Sequence, residues 1–121
     1  MRTWQEFVAE LAQCNVLSSA RRLAFEEWGE DIPTTVLFGK LGKALADHVD
    51  ELDLETRTHI FQIIESGLAS SNVALKELVA TGLLEAFYLR VSGVSGHWNR
   101  TRDYLGPLST AYLVEWGGIN S

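Results

Sequence analysis

Two carboxylates inside apolar segments are the residues best placed to do chemistry. Glu65 lies in the apolar middle of Ile60–Leu68, and Glu85 lies in the apolar middle of Val73–Val91. Desolvation in such surroundings raises the pKa of a carboxyl group, unless hydrogen bonds or a base keep it ionised. Three interpretations are open: the carboxylates form an acid/base pair or a polar contact for a partner, each accepts hydrogen bonds from a neighbouring helix N-terminus or an arginine, or both lie on the solvent edge of their helices. We favour the second, structural interpretation.

The histidines and the single cysteine show no ligand or catalytic pattern. His48, His59 and His97 are not at metal-ligand spacing, and no cysteine cluster supports a zinc site. The sequence around Cys14 matches no thiol-nucleophile signature, so a small buried or half-buried side chain is favoured. No glycine-rich loop has the spacing of a phosphate-binding loop. We therefore predict no catalytic, cofactor or metal site, and we do not expect an enzyme.

Acidic residues are concentrated in one block. Residues 26–55 carry nine acids against Lys40 and Lys43, a net charge of -7, whereas the rest of the chain has a net charge of +1. Such a block argues against nucleic acid as the partner and favours a basic protein surface, although solvation alone is the simpler explanation of a charge run. The predicted partner-binding residues are Glu26, Glu27, Glu30, Asp31, Asp47, Asp50, Glu51, Asp53 and Glu55.

The bulk composition is that of an ordinary globular protein. The chain has 121 residues, 46% hydrophobic and 21% charged, which predicts a single domain over residues 1–121. One cysteine permits no intramolecular disulfide, and the N-terminal residues do not resemble a signal peptide. Charged residues interrupt every long apolar stretch, so no membrane partner is expected. The expected location is the cytoplasm.

Helical spacing of apolar residues covers almost the whole chain, and no stretch alternates like a strand. Gly39 and Gly42 fall inside the third predicted helix, where they permit close approach of a neighbouring backbone, and Gly82 interrupts the fifth, where a kink is expected. The predicted fold is an all-α bundle of six or seven helices, in antiparallel pairs with repeat-like (HEAT-like) stacking. Predicted helix caps are Thr3, Ser18 or Ser19, Asp53 and Asn72, and Thr34 or Thr35 is predicted to open the third helix.

Three stretches resemble a family of small bacterial all-helical proteins. They are Ile60–Glu65 (IFQIIE), Val79–Glu85 (VATGLLE) and Tyr104–Trp116 (YLGPLSTAYLVEW). In that family an apolar helix ending in Glu precedes a second with a similar Leu-Glu, and a Leu-Gly-Pro turn opens the last helix. Its members are often uncharacterised or are assigned as immunity proteins of interbacterial toxin systems. Here Leu108 stands where a basic residue is expected after Pro107.

The resemblance implies an immunity protein that binds and neutralises a cognate toxin by occlusion. Combined with the charge distribution, it suggests that the acidic block meets a basic toxin domain, for example the nucleic-acid cleft of a nuclease. The open alternative is a non-enzymatic helical adaptor or scaffold of the bacterial cytoplasm. A neighbouring gene for a secreted toxin would favour the first expectation over the second.

Overall fold

The computed structural model describes residues 2–117, in which helix follows helix and no strand occurs. The all-α bundle predicted from the sequence is confirmed. The helices are α1 (Trp4–Leu11), α2 (Asn15–Trp28), α3 (Thr34–His48), α4 (Leu54–Leu68), α5 (Val73–Glu77), α6 (Glu85–Ser92), α7 (His97–Thr101) and α8 (Pro107–Gly117). Short 3₁₀ turns, Val49–Glu51 and Arg102–Tyr104, follow α3 and α7, and a π-helical segment, Leu78–Leu84, joins α5 to α6.

Side-chain caps start three of the helices as the sequence predicts. Thr3 and Glu6 form the capping box of α1. Asp53 accepts a hydrogen bond from the Thr56 amide at 2.7 Å and so caps α4, and Asn72 caps α5 through the Leu75 amide. Each bond satisfies an amide that lacks a partner within its own helix.

The predicted cap of the second helix at Ser18 or Ser19 is wrong. The chain leaves α1 through a tight turn in which the Cys14 amide donates to the Leu11 carbonyl at 3.1 Å. The Cys14 carbonyl then accepts a hydrogen bond from the Ser18 amide, so Ser18 already lies inside the helix. The helix α2 therefore begins at Asn15, with Cys14 in the cap position and no side-chain hydrogen bond there.

The core lies between α3, α4 and the continuous stretch from α5 to α6. Phe7 stacks on Phe38 with ring centroids 5.7 Å apart, and Phe61 meets Phe87 edge to face at 5.8 Å. Among the residues expected between the fourth and fifth helices, Leu78 is only half-buried. The others are fully or nearly fully buried: Ile60, Phe61, Ile64, Leu83 and Phe87.

Glycines permit the close packing of α3 against the π-helical segment, as predicted for Gly42. A Cβ atom added to Gly42 would lie 2.3 Å from the Leu83 carbonyl oxygen, and one on Gly82 would lie 2.8 Å from the Phe38 Cβ. A larger residue at either position would push the two backbones apart. Where the sequence suggested a kink at Gly82, the structure has the wider π-helical turn.

The C-terminal helix α8 closes the bundle over α4 and the π-helical segment. Pro107 is its first residue, a position at which the backbone amide has no intrahelical acceptor, so the lack of an amide hydrogen in proline costs no hydrogen bond. Tyr88 of α6 meets Trp98 and Trp116 edge to face, at 5.0 and 5.9 Å between ring centroids. Within residues 2–117, no helix has both the length and the apolar character needed to cross a bilayer.

Candidate functional site

The predicted partner-binding acids lie toward the two ends of α3. Glu30 and Asp31 are exposed in the turn before the helix, whereas the acids from Asp50 to Glu55 follow its C-terminal end. The helix has 15 residues, which places its ends about 22 Å apart at ~1.5 Å per residue. The two groups therefore present separate surfaces unless acids on neighbouring elements connect them.

Glu26 and Glu27 of α2, the candidates for that connection, are exposed and paired with basic residues. Glu27 accepts a hydrogen bond from the Lys40 ammonium at 3.1 Å, which joins α2 to α3. Glu26 lies 3.9 Å from the Arg22 guanidinium, one helical turn earlier. Both charges are thus partly compensated within the protein, and exposed pairs of this kind contribute little to stability.

Asp47 is held by Arg90 in a bidentate ion pair. The Arg90 Nε and Nη2 atoms donate to the two carboxylate oxygens at 2.8 and 3.0 Å, which links α3 to α6. Hydrogen bonding to Arg90 holds the pKa of the Asp47 carboxyl below its usual range. This acid therefore helps to fix the packing of two helices.

Asp50 faces three groups from α7 and the second 3₁₀ turn. The His97 Nε2 and Arg100 Nη2 atoms lie 3.3 and 3.5 Å from its carboxylate, and the Tyr104 hydroxyl donates to it at 3.5 Å. The His97 side chain is mostly buried in this contact. Asp50 thus connects the turn after α3 to the C-terminal part of the bundle.

The remaining predicted acids surround a cleft between the end of α1 and the start of α4. The cleft has a volume of about 410 Å³, and its lining contains no lysine or arginine. His59 and the half-buried Cys14 also line it. We call this feature the acidic cleft and define it by its four carboxylates, Glu10, Glu51, Asp53 and Glu55.

The four carboxylates of the acidic cleft differ in how they are engaged. Glu10 pairs with Arg2, and Glu51 lies 2.5 Å from the Nδ1 atom of His48. Asp53 caps α4, and the bond from the Thr56 amide lowers the pKa of its carboxyl group. Glu55 has no ion-pair partner within residues 2–117 and lies in the first turn of α4. The cleft combines concave shape with negative charge, which suits an ammonium or guanidinium group.

The two carboxylates in apolar helices both bind α8, and neither contacts the other. Glu65 accepts hydrogen bonds from the amides of Leu108 and Ser109, at 2.9 and 2.8 Å, and from the Ser109 hydroxyl at 2.7 Å. Glu85 accepts a short hydrogen bond from the Tyr112 hydroxyl. Burial and this contact raise the pKa of Tyr112 to about 12. The structural interpretation is confirmed for Glu65, whose partner is a helix N-terminus.

A second concavity lies between α4 and the segment from Asp103 to Pro107, and we call it the α4–α8 groove. It has a volume of about 650 Å³ and is lined mainly by apolar groups, including Leu54 and Phe61. The Arg57 guanidinium lies over the Tyr104 ring, 4.0 Å from the centroid, so its orientation is fixed. Sequence reasoning missed both the groove and the part of Glu10 in the acidic cleft, because each depends on residues distant in the chain.

The described residues show no arrangement suited to a resident metal ion. Across residues 2–117, no three histidine, cysteine, aspartate or glutamate side chains are placed to hold one together. His59 and Cys14 share the lining of the acidic cleft, but the structure gives neither a hydrogen bond to the other. The chemistry that the cleft offers is charge attraction.

Comparison with known proteins gives one family match. No curated protein and no solved structure matches the chain significantly. The family described as "Domain of unknown function (DUF7674)" matches residues 9–117, a range that includes every helix from α2 to α8 and both concavities. The chain therefore belongs to the DUF7674 family.

Proposed function

We propose that this protein binds a basic surface of a partner protein at the acidic cleft. The observation that carries the proposal is the cleft itself, with four carboxylates around it and no lysine or arginine in its lining. A lysine or arginine side chain of a partner would gain Coulomb attraction there, although Arg2 already pairs with Glu10 and His48 lies beside Glu51. Glu55, without an ion-pair partner among the described residues, is the most available of the four acids.

We propose further that the partner is a toxin domain, which this protein neutralises by covering its basic working surface. The support is the resemblance of residues 54–116 to a family some of whose members are assigned as immunity proteins, together with an acidic surface that would complement a basic cleft such as that of a nuclease. Occlusion needs steric coverage and charge matching only, and a helical bundle with an acidic cleft can supply both. The activity of the partner would then be blocked without any bond being made or broken.

A helical adaptor that joins two cellular proteins is the second candidate. The α4–α8 groove favours it, because the groove and the acidic cleft share no lining residue. Two separate concavities allow two different proteins to bind at once. In that case the acidic cleft still binds a basic protein, but that protein has no toxicity for this one to suppress.

Co-expression tests the proposal. The polypeptide captured by this protein from its native bacterium is produced in a sensitive host, alone or with this protein. The cleft variant carries Glu51→Lys and Glu55→Lys. The matched control carries Glu30→Lys and Asp31→Lys, with the same change in charge at the other end of α3.

Each outcome decides between the candidates. Immunity at the cleft is supported if the partner alone stops growth, the wild type and the control restore it, and the cleft variant does not. A harmless partner that binds the wild type and not the cleft variant supports the adaptor. Equal protection or equal binding by the two variants contradicts the acidic cleft as the binding site.

A further inference from the structure

The helix α8 has two apolar faces, and only one of them is covered. Ser109 and Leu113 point into the bundle and are fully buried. On the opposite side, Leu108 is 44% exposed and Val114 is 37% exposed, with exposed Pro107 and Ala111 beside them. The outward side of α8 therefore carries adjoining apolar side chains next to Glu115, and adjoining exposed apolar side chains of this kind can form part of a protein–protein contact.

The outward residues of α8 are arranged symmetrically about Ala111. Leu108 precedes Ala111 by three residues and Val114 follows it by three, while Pro107 and Glu115 stand four residues to either side. If two copies of α8 cross antiparallel on a two-fold axis at Ala111, Leu108 of each copy meets Val114 of the other. The small alanine side chains at the axis let the helices approach closely.

The antiparallel crossing also brings a basic and an acidic side chain of the two copies toward each other. Pro107 lines the α4–α8 groove together with Arg57. In the antiparallel crossing, Glu115 of the second copy would lie over Pro107, at the edge of the groove that the Arg57 guanidinium also lines. Neither Arg57 nor Glu115 has an oppositely charged side chain within 4.0 Å among residues 2–117. Stacking on Tyr104 holds the guanidinium in place to receive a carboxylate.

Two other carboxylates line the groove, and neither forms an ion pair with Arg57 among the described residues. Glu65 is already hydrogen-bonded to the N-terminus of α8. Asp103 is exposed at the rim of the groove and makes no ion pair among the described residues. By symmetry the contact between Arg57 and Glu115 is made twice, once on each side of the axis.

We propose that the outward face of α8 and the α4–α8 groove form an interface between two copies of this chain. The interface has Ala111 at its two-fold axis, Leu108 against Val114, and Arg57 against Glu115. The inference goes beyond the proposed binding at the acidic cleft and is independent of it, because the acidic cleft contributes no residue to this surface, whereas a dimer would occupy the groove that the adaptor candidate uses.

Sedimentation velocity on the full chain, over about two decades of protein concentration, tests the proposal. We expect a concentration-dependent dimer. Ala111→Glu places two like charges at the axis and should weaken the dimer at least about tenfold. Ala74→Glu is the matched control, since Ala74 is also exposed on a helix and lies elsewhere. A wild type that is monomeric throughout, or a dimer that Ala111→Glu leaves unchanged, overturns the proposal.

Charge exchange tests the ion pair separately. Arg57→Glu alone and Glu115→Arg alone should each weaken the dimer, and the double variant should restore it, because the pair is re-formed with its signs exchanged. Circular dichroism checks that Arg57→Glu, which also loses its contact with Tyr104, remains folded. A double variant as weak as the weaker single variant contradicts the Arg57–Glu115 contact.

Cross-linking locates the axis. Cys14 is the only cysteine, so Cys14→Ala provides a background without thiols. Adding Ala111→Cys should then give a disulfide-linked dimer on mild oxidation, since a disulfide needs Cα atoms within about 7 Å of each other. Ala74→Cys in the same background should not cross-link. Equal cross-linking at the two positions overturns the proposed axis.

Discussion

Glu65 binds Ser109 through both the amide and the hydroxyl of that residue, at 2.8 and 2.7 Å, and so anchors the N-terminus of α8 to α4. The contact depends on Gly106, because a Cβ atom there would lie 2.3 Å from the Glu65 Cδ. Carboxylates are stabilised at helix N-termini by the free amides and by the helix dipole. A charged residue in an apolar helix thus acts here as the cap of a different helix.

Replacing Glu65 by alanine should reduce the free energy of unfolding by about 2–3 kcal/mol, because Ser109 is buried and would lose the acceptor for two donors. Glu65→Gln keeps one acceptor oxygen and should cost less than Glu65→Ala. Urea denaturation measures the differences, with exposed Glu77→Ala as the control. A loss below about half a kcal/mol for Glu65→Ala would show that the capping bonds contribute nothing measurable.

The core contacts of α4 are expected to dominate stability. Ile64 is 0% exposed, and Ile64→Ala should cost roughly 2–5 kcal/mol from lost burial and the cavity left behind. Leu78→Ala should cost less, because Leu78 is only half-buried. The control is Leu89→Ala, at a side chain 61% exposed. Denaturant melts that rank Leu78 or Leu89 above Ile64 would contradict this assignment of the core.

Tyr112 is expected to titrate at unusually high pH. Burial and the hydrogen bond to Glu85 raise the pKa of Tyr112 to about 12, against 10.0 for an ordinary tyrosine. The chain has three tyrosines, so the difference in ultraviolet absorbance between the wild type and Tyr112→Phe isolates this one. A difference titration with its midpoint near 10 would contradict the buried contact between Tyr112 and Glu85.

The raised pKa of Tyr112 also has a consequence for stability. The folded pKa lies above the unfolded one, so the contribution of the protonated hydroxyl is fully present below about pH 10. That contribution is lost as the pH rises toward about 12. Thermal melts should therefore show the wild type losing its advantage over Tyr112→Phe across this window. An advantage that is constant from neutral pH to pH 12 would contradict the linkage.

Local signals in the sequence were sufficient for most of the fold. Capping by Thr3, Asp53 and Asn72 depends on residues within one turn of the cap, and all three caps are confirmed. The start of α2 was missed because Cys14 is no cap former and the turn before it is fixed by backbone hydrogen bonds. The π-helical segment was missed because its apolar sequence fits an ordinary helix equally well.

The candidate site was less predictable than the fold. Charge density identified the acidic block, but it carried no information on which acids are compensated by distant bases. Asp47 is paired with Arg90 across α3 and α6, and Asp50, in the 3₁₀ turn after α3, faces His97 and Arg100 of α7. Both contacts join residues that are more than 40 positions apart in the chain. The acidic cleft likewise depends on Glu10, which lies outside the acidic block.

These contacts determine which charges are suitable for testing the partner surface. Reversing Asp50 or Asp53 would disturb the protein itself, because Asp50 faces α7 and Asp53 caps α4. Loss of a helix cap alone costs about 1 kcal/mol. Glu51 is exposed and pairs only with His48, and Glu55 is exposed in the first turn of α4. Their reversal should therefore reduce the free energy of unfolding by only about 1 kcal/mol.

The central claim is that the acidic cleft attracts a basic partner, and the association rate with the captured partner tests it most directly. At low salt, Glu51→Lys with Glu55→Lys should slow association by about tenfold and remove much of its salt dependence. Glu30→Lys with Asp31→Lys, at the other end of α3, should change the rate much less. A cleft variant that associates at the wild-type rate at low salt would contradict the claim.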